Sequence, residues 1–388
     1  MDTTPPLRNL KTFVSSIFCN NYIDIILGFI LGLIAFAFHH LGMAYFATTF
    51  SALAIGAISV TVAEIAEILA ERLEEPYASF VLTFSAVAVE IILLFMIILE
   101  SIHAPEALET VKGGIISAVI VDMNVLLGIA VFIGGLSYSE QEHNEDTSST
   151  YTTILLVATS ALLVPSIINF GDTGEGGLFK ASVMIAIVLI VFYVAIFIFQ
   201  TKTHQHFFKT SAKSRLFQLK KHKQEEEEIE DDYLFDKLSN LSNLIVIFLL
   251  IFFIGVFAEI FAKDGMVIAK DLGLSTGLAG LIIAIIAVSP EILTAIKAAR
   301  NDQMQRVVNI AMGASTVSIL LTVPLLMALA YINGIYLTLD FNAFQIGALI
   351  LTIILAWKTT DDGETNYFEG VSHIMFFASY AIIATMYH

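Results

Sequence analysis

Ala78-Ser-Phe-Val-Leu-Thr-Phe-Ser-Ala-Val-Ala-Val-Glu90-Ile-Ile and Ala279-Gly-Leu-Ile-Ile-Ala-Ile-Ile-Ala-Val-Ser-Pro-Glu291-Ile-Leu each carry one glutamate deep in an apolar run. Laid over each other without gaps, they share Ala78 with Ala279, Ala86 with Ala287, Val87 with Val288, Glu90 with Glu291 and Ile91 with Ile292. A carboxylate in the middle of a bilayer costs several kcal/mol and is rare without a task. Two in repeated settings imply a duplicated membrane protein with a cation site where the repeats meet.

Composition agrees. Of 388 residues, 57% are hydrophobic and 14% charged, against roughly 25% charged in soluble domains. The apolar runs are long enough to span about 30 Å as helices, and the alternating strands of a barrel are absent from the pattern. No cleavable signal peptide is expected, because the run from Tyr22 is too long. The single cysteine, Cys19, excludes an internal disulfide and a multi-cysteine metal site. A net charge of −17 argues against nucleic acid as a partner and suits mouths that attract cations.

The expected fold is an all-α polytopic membrane protein of about eleven transmembrane helices, at 22–42, 44–72, 76–101, 110–135, 151–170, 180–200, 240–263, 273–299, 303–330, 341–357 and 368–387. Turns are expected at Glu74-Glu-Pro76, Gly171–Gly177, Lys263-Asp-Gly265 and Asp361–Glu364. The chain divides into an N-terminal segment with one extra helix (1–43), a first five-helix repeat (44–200), a basic-then-acidic linker (201–239) and a second five-helix repeat (240–388). The linker runs from Lys202 through Lys223 into Glu225–Asp232, and the positive-inside rule makes it cytoplasmic. The N-terminus near Arg8 and Lys11 then lies inside, with Arg72, Lys297, Arg300, Arg306 and Lys358, while the acidic loop Glu140–Asp146 falls inside without basic support. Five helices per repeat is odd, so the repeats are inverted, as in secondary transporters.

Glu90 and Glu291 are the expected ion-binding and proton-coupling residues, and the metal ligands for a divalent cargo. Two carboxylates hold a hard cation, or protons once it leaves. Pro290 removes a backbone donor and should free the Ile286 carbonyl as a further ligand. The following helix of each half adds Ser117, Asp122 and Asn124, and Asn309, Ser315, Thr316 and Ser318. Asp122 and Asn124 are two apart and do not share a face. Asn124 is the stronger candidate ligand, with Asp122 a proton site or paired elsewhere, and Ser315 and Ser318 as further candidates. Val62-Ala-Glu64-Ile65 echoes Phe257-Ala-Glu259-Ile260. Glu64, Glu67 and Glu71 on one side, and Glu259 on the other, are expected at the rims of opposed funnels.

These segments resemble the cation/calcium exchanger superfamily: Glu64–Glu90 is similar to its first signature repeat and Leu281–Leu326 to its second. The bacterial calcium/proton antiporter branch fits through Glu67-Ile-Leu-Ala-Glu-Arg-Leu-Glu-Glu-Pro-Tyr77, Pro290-Glu-Ile-Leu-Thr-Ala-Ile296 and Gln305-Arg-Val-Val-Asn-Ile-Ala-Met-Gly313. The resemblance implies an eleven-helix antiporter in the bacterial inner membrane, exchanging calcium for protons by alternating access at Glu90 and Glu291. It implies no cofactor, only the transported cation. The family's commoner Gly-Asn-Ala-X-Glu pattern is absent: the chain has Ser85–Glu90 and Ile286–Glu291 there, and Val317 where relatives carry glutamine. Sodium or potassium therefore stands beside calcium as cargo. A passive cation channel fits inverted halves poorly. An intramembrane enzyme lacks its motifs: there is no His-Glu-X-X-His or Gly-X-Ser-X-Gly, and Asn301-Asp302 stands alone.

Overall fold

Long apolar runs fold as helices in lipid because the backbone must satisfy its own hydrogen bonds there. The computed structural model of the chain describes residues 22–73, 77–167, 174–204 and 234–386. In order the helices are α1 (Ile23–His40), α2 (Ala44–Arg72), α3 (Tyr77–Glu100), α4 (Ala107–Ser137), α5 (Glu145–Ile167) and α6 (Gly174–Ile198, continued by a π turn Phe199–Thr203). A short α7 (Leu234–Lys237) precedes α8 (Asn240–Leu272), α9 (Thr276–Arg300), α10 (Met304–Ile332), α11 (Ala343–Thr360) and α12 (Tyr367–Met386). Among the described residues, ten helices are long and apolar enough to cross a membrane. The helix carrying Glu90, α3, is a further 24-residue element. The chain is an integral membrane protein.

Several expected boundaries move. Lys263-Asp-Gly265 is not a turn, because α8 runs on to Leu272 and ends at Gly273 with φ 61°. The polar residues are held on the helix: Lys263 bonds Glu259 one turn back at 2.6 Å, and Asp264 meets His39 of α1 at 2.8 Å. The fifth expected span begins earlier, at Glu145, where the Asn144 side chain accepts from the Asp146 amide at 2.9 Å. The acidic loop before it forms β1 (Gln141–Glu142), which pairs antiparallel with β2 (Glu364–Thr365). Residues 205–233 of the linker, the N-terminus with Arg8 and Lys11, the turns at 74–76 and 171–173, and the Glu71 side chain lie outside the described residues.

Packing is crosswise between the halves. The long pair α2 and α8 lie together, and α1 covers them. The Glu291 helix, α9, packs along α4, while the Glu90 helix, α3, packs on α10. Glycines set the α4–α9 approach: a Cβ at Gly280 would fall 2.5 Å from the Gly114 amide nitrogen and 2.8 Å from the Thr110 carbonyl. Ser239, Ser275 and Asn342 cap the starts of α8, α9 and α11.

Candidate functional site

Both α4 and α10 widen into a π turn at mid-length, Asp122–Leu126 and Ser318–Thr322. Such turns are rare and concentrate at functional sites. In α10, Pro324 follows two residues after Thr322 and supplies no amide for the preceding turn. In α4, the Asn124 side chain donates to the Ile120 carbonyl at 3.1 Å, inside its own helix. The two π segments face the crossing helices: α9 touches Asp122–Leu126 and α3 touches Ser318–Thr322.

Three carboxyls occupy this region. Glu90 is 7% exposed; its Oε2 accepts from Ser318 at 2.7 Å and from Thr322 at 3.5 Å. Asp122 is 1% exposed, and its Oδ2 accepts from Ser315 at 3.0 Å. Glu291 is half-buried. One oxygen of each, Glu90 Oε1, Asp122 Oδ1 and Glu291 Oε2, is buried with no hydrogen-bond partner among the described residues. They lie close enough for their charges to act on one another: Glu291 feels Glu90, and Asp122 feels both. Among the described residues, no group of three or more His, Cys, Asp or Glu side chains is arranged to hold a metal ion. The three acids therefore share a region without converging on one point.

Asn124, ranked above Asp122 from the sequence, is turned away. Its amide donates to Thr352 at 3.0 Å, and its carbonyl oxygen meets His373 Nδ1 at 3.0 Å. His373, fully buried, is held on its other nitrogen by Thr359 at 3.0 Å. Asn124 thus fastens α4 to α11 and α12, with both amide hydrogens donated and its oxygen held by His373. The Ile286 carbonyl freed by Pro290 accepts the Ser289 hydroxyl at 2.8 Å, so a local side chain replaces the lost amide. The hydroxyls of Ser315 and Ser318 are committed to carboxyls.

The expected rim residues lie apart from this cluster, in ion pairs. Glu67 pairs with Arg306, Glu64 approaches Lys297 at 3.9 Å, and Glu259 pairs with Lys263. Arg72 caps the carbonyls of Phe235, Asp236 and Leu238 around α7. The β1 loop pins the same end of the bundle: Gln141 Nε2 donates to the Ala299 carbonyl at 2.9 Å and to Asp302 at 3.1 Å, and the Asn144 amide donates to Gln305 at 2.6 Å. His143 is buried in this strap against the Thr360 carbonyl, and burial lowers its pKa. Thr322, His373 and Thr352 escaped the sequence reading. Thr322 had a signal, since it lies four residues after Ser318 on the same face.

A model of the sodium/calcium exchanger protein family matches residues 25–202 and 242–386. The sodium-potassium/proton antiporter ChaA of Escherichia coli (strain K12) is 27% identical over 319 residues, 81% of this chain and 82% of the relative. A Ca(2+)/H(+) antiporter of Synechocystis sp. is 26% identical over 300 residues, 76% of this chain and 78% of the relative. The solved structure of the Ca2+/H+ antiporter protein YfkE shares the fold, with TM-score 0.74 at 19% identity over 94% of this chain and all (100%) of that one.

Proposed function

The chain belongs to the sodium/calcium exchanger protein family, and from that membership we propose that it is a secondary antiporter, exchanging calcium for protons by alternating access. The observation that carries this reading is the pair Glu90 and Glu291: two acids on crossing helices, within reach of each other's charge, each with a buried oxygen left open. A cation takes those oxygens in one state, and protons neutralise them in the other. The ion ligands are Glu90 and Glu291, and Ser318 and Thr322 orient Glu90. The Glu64, Glu67 and Glu259 ion pairs flank the two approaches. The bundle end bearing Lys297, Arg300, Arg306 and Lys358 faces the cytoplasm of a bacterial inner membrane, with the N-terminus and linker.

A second reading, monovalent cation/proton exchange without calcium selectivity, is favoured by one specific feature. Asn124 is engaged with Thr352 and His373 and the family asparagines are absent, so few neutral oxygens are left to the glutamates, whereas calcium takes six to eight. The name of the Escherichia coli relative points the same way. Reconstituted vesicles under an imposed pH gradient, offered calcium, sodium and potassium separately, test both. Calcium accumulated against its own gradient supports the first reading, and sodium or potassium alone the second. Equilibration without accumulation would leave a channel and end both.

A further inference from the structure

Four buried polar side chains from three helices are joined beside the exchange site: Asn124 of α4, Thr352 and Thr359 of α11, and His373 of α12. None of them holds the cation in the reading above. A fully buried histidine within a membrane span is rare without a task.

The hydrogen bonds fix their own direction. The Ile120 carbonyl can only accept, so the Asn124 nitrogen faces it, and the same nitrogen donates to Thr352. The Asn124 oxygen is left to His373 Nδ1, which must therefore carry the hydrogen. In that tautomer Nε2 accepts the Thr359 hydroxyl. Glycines bring the ring this close. Gly128 lies four residues after Asn124 on the same face of α4, and a Cβ there would fall 2.7 Å from the His373 Cβ. Gly370, three residues before His373, lies against the Phe132 backbone.

Asn124 is thus held on the face of α4 turned to α12. Asp122 is two residues away, about 200° around a helix, and its charge acts with those of Glu90 and Glu291. We propose that His373 is a positioning residue for cation exchange: its hydrogen bond to the Asn124 oxygen sets the rotation of the π turn, so that Asp122 faces the glutamates and the amide oxygen is withheld from the cation. The inference rests on the antiporter reading and its two glutamate ligands. Without that donor the Asn124 oxygen is a buried acceptor with nothing to accept, which is destabilising. A cation among the carboxyls relieves it. Calcium, which takes more oxygens than a pair of carboxylates supplies, gains most.

Two amide variants separate the ring nitrogens. His373→Asn places its amide nitrogen where Nδ1 stands and keeps the donor to Asn124. His373→Gln reaches the Nε2 position, keeps Thr359 and leaves the Asn124 oxygen free. The full chain in vesicles is assayed with calcium and sodium, each read as substrate or as competitor of the other's uptake. His373→Gln should lower the half-saturation concentration for calcium relative to sodium by at least about threefold, the scale of one neutral hydrogen bond, with exchange retained. His373→Asn should keep the parental ratio. In an Asn124→Ala background, His373→Gln should move the ratio no further. Thr352→Val loosens the same amide from its other side and should shift the ratio in the same direction; it serves if His373→Gln fails to fold. A ratio unchanged or moved toward sodium, with only the melting temperature lowered, would make His373 a packing residue. Equal shifts in the Asn and Gln variants would assign the effect to the ring rather than to its bond with Asn124. Either result overturns the proposal. Absence of exchange of both cations from the unsubstituted protein would instead remove the antiporter reading, and this role with it.

Discussion

Ser318 donates a 2.7 Å hydrogen bond to Oε2 of Glu90, tying a buried carboxyl of the first half to the π turn of a helix in the second. Hydrogen bonds to charged groups contribute about 1.5–3 kcal/mol, and Thr322, at 3.5 Å, is a weak substitute. Ser318→Ala should therefore weaken apparent cation affinity about tenfold. Concentration dependence of vesicle uptake measures it, and an unchanged half-saturation point would show that Ser318 does not orient the carboxyl.

Glu90→Gln and Glu291→Gln keep side-chain shape and remove the charge. Each should abolish cation exchange while the protein still inserts and purifies as a folded species. Proton-coupled flux persisting in either variant would contradict the ligand assignment.

The Lys112 ammonium is buried and held by Glu109 at 2.8 Å and Asp340 at 2.7 Å. Burial opposes the Asp340 charge, but hydrogen bonds from Lys112 and Thr338 and the Lys112 charge outweigh it, so its pKa sits below the usual carboxylate value. A depressed folded-state pKa gives stability that is complete above the unfolded value of about 3.9 and is lost as pH falls through the lower folded value. Thermal unfolding in detergent should show Asp340→Asn less stable than the parent at pH 7, with the difference vanishing in strong acid. A gap that widens on acidification would reverse the sign and refute the pairing.

Glu259 is exposed and already neutralised by Lys263 one turn away. Exposed pairs of this kind contribute about 0.2–1 kcal/mol. Glu259→Gln should leave the maximal rate intact and shift apparent affinity from its own side by no more than about threefold. Turnover abolished at saturating cation would place Glu259 in the central site.

The fold was legible where charge interrupts apolar sequence. Glu90 and Glu291 stand out because lipid tolerates so few carboxyls, and helix spacing follows from run length. Which of Asp122 and Asn124 faces the glutamates was not legible, because both lie in a π turn that rotates side chains off the 3.6-residue period. The α8 extension was hidden because Lys263-Asp-Gly265 has the composition of a turn, whereas the helix runs through it with Lys263 paired to Glu259 and Asp264 to His39. The β1–β2 strap joins two dipeptides far apart in sequence, so neither carries a local signal.

Gly280 links that packing to the site. Any Cβ there would meet backbone of α4 at Gly113, Gly114 and Thr110, and backbone cannot swing aside as a flexible side chain can. Gly280→Ala must push α9 from α4 and carry Glu291 away from Asp122. Overpacking of this kind costs about 1–3 kcal/mol, so the melting temperature in detergent should drop. Exchange should fall with it, whereas Gly347→Ala, at a position where nothing lies within 4 Å, should change neither. A Gly280→Ala protein with parental stability and rate would mean that the α4–α9 contact does not set the position of Glu291.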